Sequence, residues 1–333
     1  MIAGDLAKQY LRKYSTASTL QIARILQKEH PLIFSDLEHA RHIVRYYRGA
    51  NGQTGRQCLK DTEFIRPIEE ALEQKYNPYG LPPADNDDWS PVSLPFNKGR
   101  GLVLADLHIP YHDIEAITAC FDWAQNSGYT DFILFDGDVS DYYQLSRYEK
   151  DPRKRSFKSE LDHLKTLLDV TQKTFPKAQI ILKFGNHDNR LERYLMRRAP
   201  ELLGMEAYMR DTYLDLVGRG IFVVEHDVPI KVGELNILHG HELMNIQTAV
   251  NPARGAYLKA LECVLLAHSH RTSQHAEMSL SGRLDTAWSI GCLCQLHPEY
   301  ARLNKWNHGF CGLEFDKDDF EIDNKRILKG MVR

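Results

Sequence analysis

The chain has 333 residues, 43% hydrophobic and 26% charged, a composition typical of a folded protein with one large domain and a small one. Its net charge of −3 gives no global signature of nucleic-acid binding. No apolar run reaches about 18 residues and no apolar signal segment occurs, so we expect a soluble, cytoplasmic protein with no membrane partner.

The cysteines favour a reducing compartment. They form no Cys-x-x-Cys pair, and several lie in strand-like runs, as reduced core thiols do. A zinc knuckle is the alternative, and the spacing disfavours it. The six are Cys58, Cys120, Cys263, Cys292, Cys294 and Cys311.

Residues 1–50 are predicted to form a small all-α domain. A capping-box pattern, Ser35-Asp36-Leu37-Glu38, precedes the third helix, and Gly49 ends it. Apolar residues recur at helical spacing: Leu6, Tyr10, Leu11 and Tyr14, then Leu20, Ala23 and Leu26, then Leu37, Ala40, Val44 and Tyr47.

The third helix is predicted to carry a basic solvent face of Arg41, Arg45 and Arg48. Residues 1–60 contain ten Lys and Arg against four Asp and Glu, a net charge of +6. A basic three-helix unit resembles a helix-turn-helix domain, which would bind nucleic acid through these arginines. The alternative is an ordinary helical appendage with a solvated face, since the loop His30–Phe34 is longer than usual. Both interpretations stay open.

Residues 51–99 are predicted to be a linker with a Pro-rich segment and a short helical stretch, Phe64–Lys75. We interpret the acidic cluster of Asp85, Asp87 and Asp88 as solvated linker. The main domain then spans residues 100–333.

The first buried strand of this domain, Leu102–Ala105, leads into Asp106 and His108. Side chains alternate along an extended segment, so these two point the same way and can chelate one ion. Asp113 is predicted to cap the helix that follows.

The second strand, Phe132–Phe135, leads into Asp136-Gly137-Asp138-Val139-Ser140-Asp141. A carboxylate at a strand end can bridge two cations, because its two oxygens reach in different directions. Ordinary turn chemistry is the alternative for Asp-Gly-Asp.

The third strand, Gln179–Lys183, leads into Phe184-Gly185-Asn186-His187-Asp188-Asn189-Arg190. This is a tight turn at the carboxyl end of a strand, where open α/β sheets place their chemistry. The amide oxygen of Asn186 suits a metal ion, and His187 can protonate a departing alkoxide. Apolar residues at helical spacing, Leu191, Tyr194, Leu195 and Met196, predict a helix after the turn.

Two His-x-His pairs follow two further strands. Leu235–Leu238 ends in His239-Gly240-His241, and Val264–Ala267 ends in His268-Ser269-His270. A lone histidine beside a strand is usually structural, but two such pairs favour metal sites with mixed nitrogen and oxygen ligands.

In order, the blocks Asp-x-His, Gly-Asp-x-x-Asp, Gly-Asn-His-Asp, His-Gly-His and His-x-His resemble the calcineurin-like metallophosphoesterase superfamily over residues 100–316. The resemblance implies an α/β fold: a four-layer α/β/β/α sandwich with two metal ions at the strand ends. Residues 1–99 lie outside it.

Carried over to these positions, the resemblance assigns Asp106, His108, Asp138 and His270 to one metal. Asp138 would bridge to a second metal bound by Asn186, His239 and His268. His187 would donate a proton or stabilise charge, oriented by Asp141. Ala267 stands where the family usually has Gly, so we expect a slightly altered turn with intact ligands.

The resemblance implies phosphate-ester hydrolysis, in which a hydroxide shared by two divalent cations attacks phosphorus and His187 protonates the leaving oxygen. Mn²⁺ is the preferred cation, with Fe, Zn²⁺ or Co²⁺ as alternatives. We predict that Arg190, His112 and His241 contact the substrate phosphate, although structural roles are equally compatible with their positions.

The preferred substrate is a phosphodiester, DNA or another nucleic acid, because of the basic helices and the basic insertion at Lys150, Arg153, Lys154, Arg155 and Lys158. That insertion could equally be a solvated loop. A phosphoprotein phosphatase is disfavoured, because Tyr142-Tyr143-Gln144 replaces the Arg-Gly pair of that branch. The alternatives are a phosphomonoesterase or a small-molecule or cyclic-nucleotide phosphodiesterase, and then a catalytically inactive scaffold.

Overall fold

The computed structural model describes residues 3–14, 17–48, 82, 89–151, 153–246 and 249–333. The chain divides into two compact units, Met1–Asp87 and Asp88–Arg333. Most of the predicted linker, with Phe64–Lys75 and the acidic cluster, lies outside the described residues, as does Gly49. The domain boundaries therefore stay a prediction.

The first unit contains the three predicted helices: α1 (Ala3–Lys13), α2 (Thr19–Glu29) and α3 (Leu37–Tyr47). Phe34, in the segment between α2 and α3, is fully buried in their shared core. The other buried members of this core are Leu6, Ala7, Tyr10, Leu11, Ile22, Ala23, Leu26, Ala40 and Val44.

The capping prediction for α3 was wrong in its details. Asp36, not Ser35, is the N-cap, and its carboxylate accepts a hydrogen bond from the His39 backbone N–H at 2.7 Å. A carboxylate accepts this bond as well as a hydroxyl does and also suits the positive end of the helix dipole. The capping box occurs instead on α2, between Ser18 and Gln21.

The basic face of α3 is smaller than predicted. Arg45 is exposed, whereas Arg41 pairs with Glu38 at 3.0 Å. Arg48 turns toward α2 and donates hydrogen bonds to the Ala17 carbonyl at 2.7 Å and the Thr19 hydroxyl at 3.1 Å. Its guanidinium therefore joins two helices rather than extending a charged surface.

The second unit is a β-sandwich flanked by helices. Its helices are α4 (Ile114–Ser127), α5 (Phe157–Thr174), α6 (Arg190–Arg198), α7 (Arg210–Tyr213) and α8 (Pro252–Ala260). Its strands are β1 (Val92–Ser93), β2 (Lys98–Leu104), β3 (Phe132–Asp136), β4 (Gln179–Lys183), β5 (Phe222–Val224), β6 (Ile230–Val232), β7 (Leu235–Leu238), β8 (Val264–Leu266), β9 (Ser273–Met278), β10 (Leu284–Ser289), β11 (His308–Asp316), β12 (Asp319–Leu328) and β13 (Met331–Val332).

In the described part of the chain, one sheet has the order β13-β12-β11-β2-β3-β4-β5 and the other β1-β6-β7-β8-β10-β9. Strands β2 to β5 run parallel, with Val103 opposite Leu134, and β7, β8 and β10 are also parallel. The carboxyl ends of the parallel strands in each sheet therefore share one edge.

Successive side chains along each strand face opposite sides of the sheet, and this places helices on one side of each sheet and the other sheet on its second side. Leu102 and Leu104 of β2 face a core with α4 and α5, whereas Val103 faces the core between the sheets. In the second sheet, Leu265 faces that inter-sheet core, and its neighbours Val264 and Leu266 pack with α8. This α/β/β/α arrangement confirms the predicted fold class.

Two helix predictions can be compared directly. The Asp113 carboxylate caps α4 by accepting from the Ala116 N–H at 2.8 Å, as predicted. In α6, Leu191 and Leu195 are buried, but Tyr194 and Met196 are 42% and 53% exposed. No helix in the described residues is long and apolar enough to cross a bilayer.

One charged pair is buried beside the strand ends. The ammonium group of Lys183, the last residue of β4, is fully buried and lies 2.8 Å from the Glu242 carboxylate. Glu242 also accepts hydrogen bonds from the backbone N–H groups of His239 and Gly240 at 3.3 and 2.7 Å. The pair therefore fastens the loop after β7 to the first sheet.

Replacing Lys183 by Met should destabilise the fold by about 3–5 kcal/mol, because the Glu242 carboxylate would stay buried without its cation. The free energy of unfolding in urea measures this effect. The double variant Lys183→Met/Glu242→Gln should recover part of the loss. Equal stabilities of the wild type and Lys183→Met would contradict the structural role of the pair.

Candidate metal centre

The predicted ligands all follow the carboxyl ends of strands, as the sequence pattern indicated. They come from both sheets of the sandwich and converge between them. Asp106 and His108 follow β2, Asp138 follows β3, Asn186 follows β4, His239 follows β7, and His268 and His270 follow β8.

The backbone at several of these residues is strained. Asp106, His108, Asp138, His268 and His270 have φ values of 54°, 46°, 51°, 60° and 56°. Non-glycine residues rarely adopt this left-handed conformation, which costs about 1–3 kcal/mol each and clusters at functional sites. Here it turns five side chains toward one buried volume.

One group of ligand atoms consists of Asp106, His108 and His270. The Nε2 atoms of the two histidines face each other at 3.1 Å. Asp106 Oδ1 lies 3.2 Å from His270 Nε2 and 3.7 Å from His108 Nε2. All three side chains are buried, so bulk solvent screens their interactions little.

A second group consists of Asp138, His239 and His268, whose candidate ligand atoms lie within 4.8 Å of one another. Asp138 Oδ2 lies 3.2 Å from His239 Nε2 in this group and 3.9 Å from His108 Nε2 in the first. Asp138 therefore stands between the two groups, where a bridging carboxylate would lie.

The donor atoms fit metal ions. Among the described residues, Asp106 Oδ1, Asn186 Oδ1 and His239 Nε2 are buried polar atoms without a hydrogen-bond partner. Such atoms are rare in folded proteins, because leaving them unsatisfied costs about 1–3 kcal/mol each. A carboxylate oxygen, an amide oxygen and an imidazole nitrogen are also ligands that divalent transition metals accept.

Neighbouring groups orient the imidazoles. His239 Nδ1 donates to the Asp136 carbonyl at 2.7 Å, so Nε2 is the ring nitrogen that points toward the cluster. His108 Nδ1 lies 3.3 Å from Asp141 Oδ1, which again leaves Nε2 toward the cluster. Metal-bound histidines usually have such partners on the other ring nitrogen.

Two glycines allow the loops to approach each other. A Cβ on Gly137, which has φ +86°, would lie 2.4 Å from the His239 ring, and one on Gly185 would lie 2.3 Å from the Asp138 carboxylate. Asp188 joins the same loops by accepting from the Ser140 and Gly185 N–H groups at 3.0 and 2.8 Å. Sequence analysis assigned Asp188 no role.

The predicted catalytic pair is adjacent to the ligands. His187 Nδ1 lies 2.9 Å from Asp141 Oδ1, and the Arg190 guanidinium lies 3.0 Å from His187 Nε2. Arginine only donates, so Nε2 accepts and Nδ1 carries the hydrogen. Burial, partly offset by Asp138, lowers the pKa of His187, which favours this neutral form.

The three residues predicted to contact the substrate phosphate do not all lie in one cleft. Arg190 lines a cleft with Asn186, His187 and His268, whereas His112 lines an apolar cavity with Ile117 and His163. His241 lies beside Glu242 and Asp227, and burial lowers its pKa to about 4. The structure thus brings Arg190, but not His112, into the same cleft as the predicted ligands.

Ala267 is fully buried, and its N–H donates to the His239 carbonyl at 2.9 Å. The turn that follows still directs His268 and His270 toward the two groups, as expected for a difference of one methyl group.

Cys292 and Cys294 were predicted only as core thiols. They are buried, but their sulfurs also lie near the outer face of His270, with Cys294 Sγ 4.0 Å from Nδ1. The Trp306 ring packs against the same imidazole at 4.2 Å between centroids. Neither contact follows a short motif, so the sequence offered no signal for them. Cys58 lies outside the described residues.

Carboxylates determine the protonation of the imidazoles. Burial disfavours the charged forms of His108, His239 and His270, but the acids around them outweigh burial and raise the pKa values to about 10, 10 and 9. At His268 burial dominates, and the pKa falls to about 3. The carboxylates therefore favour protonation of the other three imidazoles, so that protons and a cation compete for the same nitrogens.

The sequence profile of the calcineurin-like phosphoesterase family matches residues 100–286, more than half of the chain. The chain therefore belongs to the calcineurin-like phosphoesterase family. Members of this family typically bind divalent metal ions, in agreement with the ligand groups described above.

Similar solved structures include two of Vps29 from Entamoeba histolytica, a single mutant and the wild type complexed with Zn²⁺. Each is 14% identical over 70% of this chain and 96% of that chain, with TM-scores of 0.37 and 0.36. Vacuolar protein sorting 29 from Cryptosporidium parvum is 14% identical over 72% of this chain and 96% of its own, with a TM-score of 0.38. At these scores the likeness carries no inference about activity. A comparison with curated proteins gave no match.

Metal binding should release protons and weaken as the pH falls. The raised pKa values of His108, His239 and His270 mean that a cation displaces protons throughout the neutral range. Each displaced proton should cost about tenfold in affinity per pH unit of acidification. Calorimetric titration with Mn²⁺ at pH 6, 7 and 8, in buffers of different ionisation enthalpy, measures both quantities. A pH-independent affinity without proton release would contradict this assignment.

Proposed function

We propose that this protein is a dinuclear metal-dependent phosphodiesterase that acts on nucleic acid. The single observation that carries the proposal is the convergence of buried oxygen and nitrogen atoms without hydrogen-bond partners from both sheets. Bound cations would satisfy these atoms and neutralise the buried carboxylates, and family membership supports phosphoester hydrolysis as their chemistry.

Asp106, His108 and His270 would hold one cation, Asn186, His239 and His268 the other, and Asp138 would touch both. The two cations would supply Lewis acidity, lowering the pKa of water and offsetting negative charge on the phosphate oxygens. Mn²⁺ is the cation we propose, because it accepts the carboxylate and amide oxygens among these ligands and the set contains no thiolate.

His187 would handle the proton. Its Nδ1–H is fixed by Asp141, so Nε2 is the atom that faces an incoming diester. A phosphate anion beside Nε2 would favour the protonated imidazole and raise its pKa. Arg190, now bonded to Nε2, would turn to a phosphate oxygen. Substrate binding would thus favour a proton on Nε2, and His187 would then donate that proton to the leaving oxygen.

The test compares bis-p-nitrophenyl phosphate, p-nitrophenyl phosphate and labelled DNA in Mn²⁺. We expect hydrolysis of the diester and of DNA, and loss of both in Asp138→Asn together with loss of bound metal. Turnover of the monoester alone would contradict a phosphodiesterase. Two bound metal ions without turnover of any substrate would indicate a scaffold.

Two substrates with different leaving groups distinguish the role of His187 from that of the metal ions. His187→Ala should lower DNA cleavage by about 10²–10⁴-fold, because an alkoxide needs a proton to depart. It should affect bis-p-nitrophenyl phosphate much less, because nitrophenolate leaves without one. Equal losses on both substrates, with metal content unchanged, would contradict proton donation.

We also propose that the N-terminal unit contributes to nucleic-acid binding. The net charge of +6 over residues 1–60 supports this proposal, and on α3 Arg45 is exposed while Arg41 is partly exposed and paired with Glu38. The full-length variant Arg41→Gln/Arg45→Gln should bind DNA more weakly and with a smaller salt dependence than the wild type. Unchanged affinity at several salt concentrations would contradict a role of these helices in DNA binding and would favour another role, such as dimerisation.

A further inference from the structure

Two clefts open from the proposed metal centre, and both are lined by His187 and His268. The arginine cleft, of about 320 Å³, also contains Arg147, Tyr148, Arg190, Arg193 and Arg197. The aromatic cleft, of about 460 Å³, also contains Arg271, Tyr300, Lys305 and Trp306. A ligand bound at the metals can therefore extend in two directions.

Three arginines form a stripe along the arginine cleft. Arg190, Arg193 and Arg197 lie at positions i, i+3 and i+7 of α6, on one side of the helix. A helix rises 1.5 Å per residue, so the stripe extends about 10 Å away from His187. This is longer than one phosphate group needs.

The two outer arginines of this stripe, Arg193 and Arg197, are not neutralised locally by described residues, whereas Arg190 lies 3.5 Å from the Asp141 carboxylate. In the described part of the chain, neither Arg193 nor Arg197 forms an ion pair with a carboxylate, and no Asp or Glu is among the described residues that line this cleft. The basic insertion differs, because Arg153 pairs with Asp151 at 2.9 Å and Arg155 with Glu299 at 2.8 Å. Arg193 and Arg197 of α6 therefore carry open positive charge beside the metal centre, which sequence analysis did not single out.

Each cleft also offers aromatic rings. Tyr148 is 65% exposed in the arginine cleft. In the aromatic cleft, Tyr300 and Trp306 lie 6.4 Å apart between ring centroids, next to the exposed Lys305. Cations for the backbone combined with exposed rings for unpaired bases are the features that bind single strands without sequence preference.

We propose that a single nucleic-acid strand passes through both clefts and is cleaved internally at the metal centre. The proposal rests on the proposed phosphodiesterase function and specifies its substrate. Water oxygen bonds to phosphorus, the bond from phosphorus to one ester oxygen breaks, and that oxygen takes up a proton. The products are one terminal phosphate and one terminal hydroxyl. A small diester bound at the metals would not extend to Arg193 and Arg197, so these two arginines favour a longer substrate.

The first experiment uses circular single-stranded DNA, which has no ends, beside the linear strand, a linear duplex and bis-p-nitrophenyl phosphate, with full-length protein in Mn²⁺. The proposal predicts that the circle is cleaved at a rate within about tenfold of the linear strand. An Asp138→Asn preparation controls for contaminating nuclease.

Cleavage of the linear strand alone would overturn internal cleavage. Hydrolysis of bis-p-nitrophenyl phosphate with neither strand cleaved would overturn the strand proposal and keep the phosphodiesterase. Faster cleavage of duplex than of single strands would overturn the strand specificity. Failure on all substrates would overturn both proposals.

The second experiment tests the stripe. Arg193→Gln/Arg197→Gln should lower kcat/KM for the strand at least tenfold more than for bis-p-nitrophenyl phosphate. It should also reduce the slope of log kcat/KM against log salt by roughly 1.4, since single strands contribute about 0.7 per phosphate contact.

Arg198→Gln is the matched control. Arg198 is an exposed residue of the same helix, but it lies about 100° around the helix from Arg197 and outside the cleft. Equal effects of the double variant and the control would overturn the role of the stripe.

Discussion

The structure depends on one unfavourable arrangement, the burial of several carboxylates and imidazoles between the sheets of a sandwich. Asp106 and Asp138 are almost completely buried, and their oxygens face ring nitrogens more than solvent. Uncompensated charge at this depth is costly, so protons or cations must neutralise it. Protons do so in part, as the raised pKa of His108 indicates. Divalent cations would do so more completely and would also satisfy the oxygen and nitrogen atoms that lack hydrogen-bond partners.

The surrounding residues hold this arrangement in place. Parallel strands deliver the loops to one edge of each sheet, and left-handed backbone turns the ligands inward. Gly137 and Gly185 let those loops come close, while the buried Lys183–Glu242 pair fixes the loop that carries His239. Strain at the ligands is thus balanced by rigid packing nearby, which is how preorganised sites persist in folded proteins.

Sequence analysis predicted the fold class and the convergence of ligands, because short apolar runs ending in Asp, Asn or His are local signals. It missed β9 and β12, whose partly exposed and polar residues lack a continuous apolar run, and β6, which has only two apolar residues, Ile230 and Val232. It could not find the Lys183–Glu242 pair or the Cys294 contact with His270, since these depend on long-range packing. It placed positive charge on Arg155 and Arg48, which have partners elsewhere in the chain, because pairing across the fold leaves no trace in a local pattern.

The most direct test is the anomalous difference map from a crystal grown with Mn²⁺. A dinuclear centre should give two peaks about 4 Å apart. One should lie beside Asp106, His108 and His270, and the other beside Asn186, His239 and His268, with Asp138 touching both. A single peak, or none at saturating Mn²⁺, would contradict a dinuclear centre and with it the proposed chemistry.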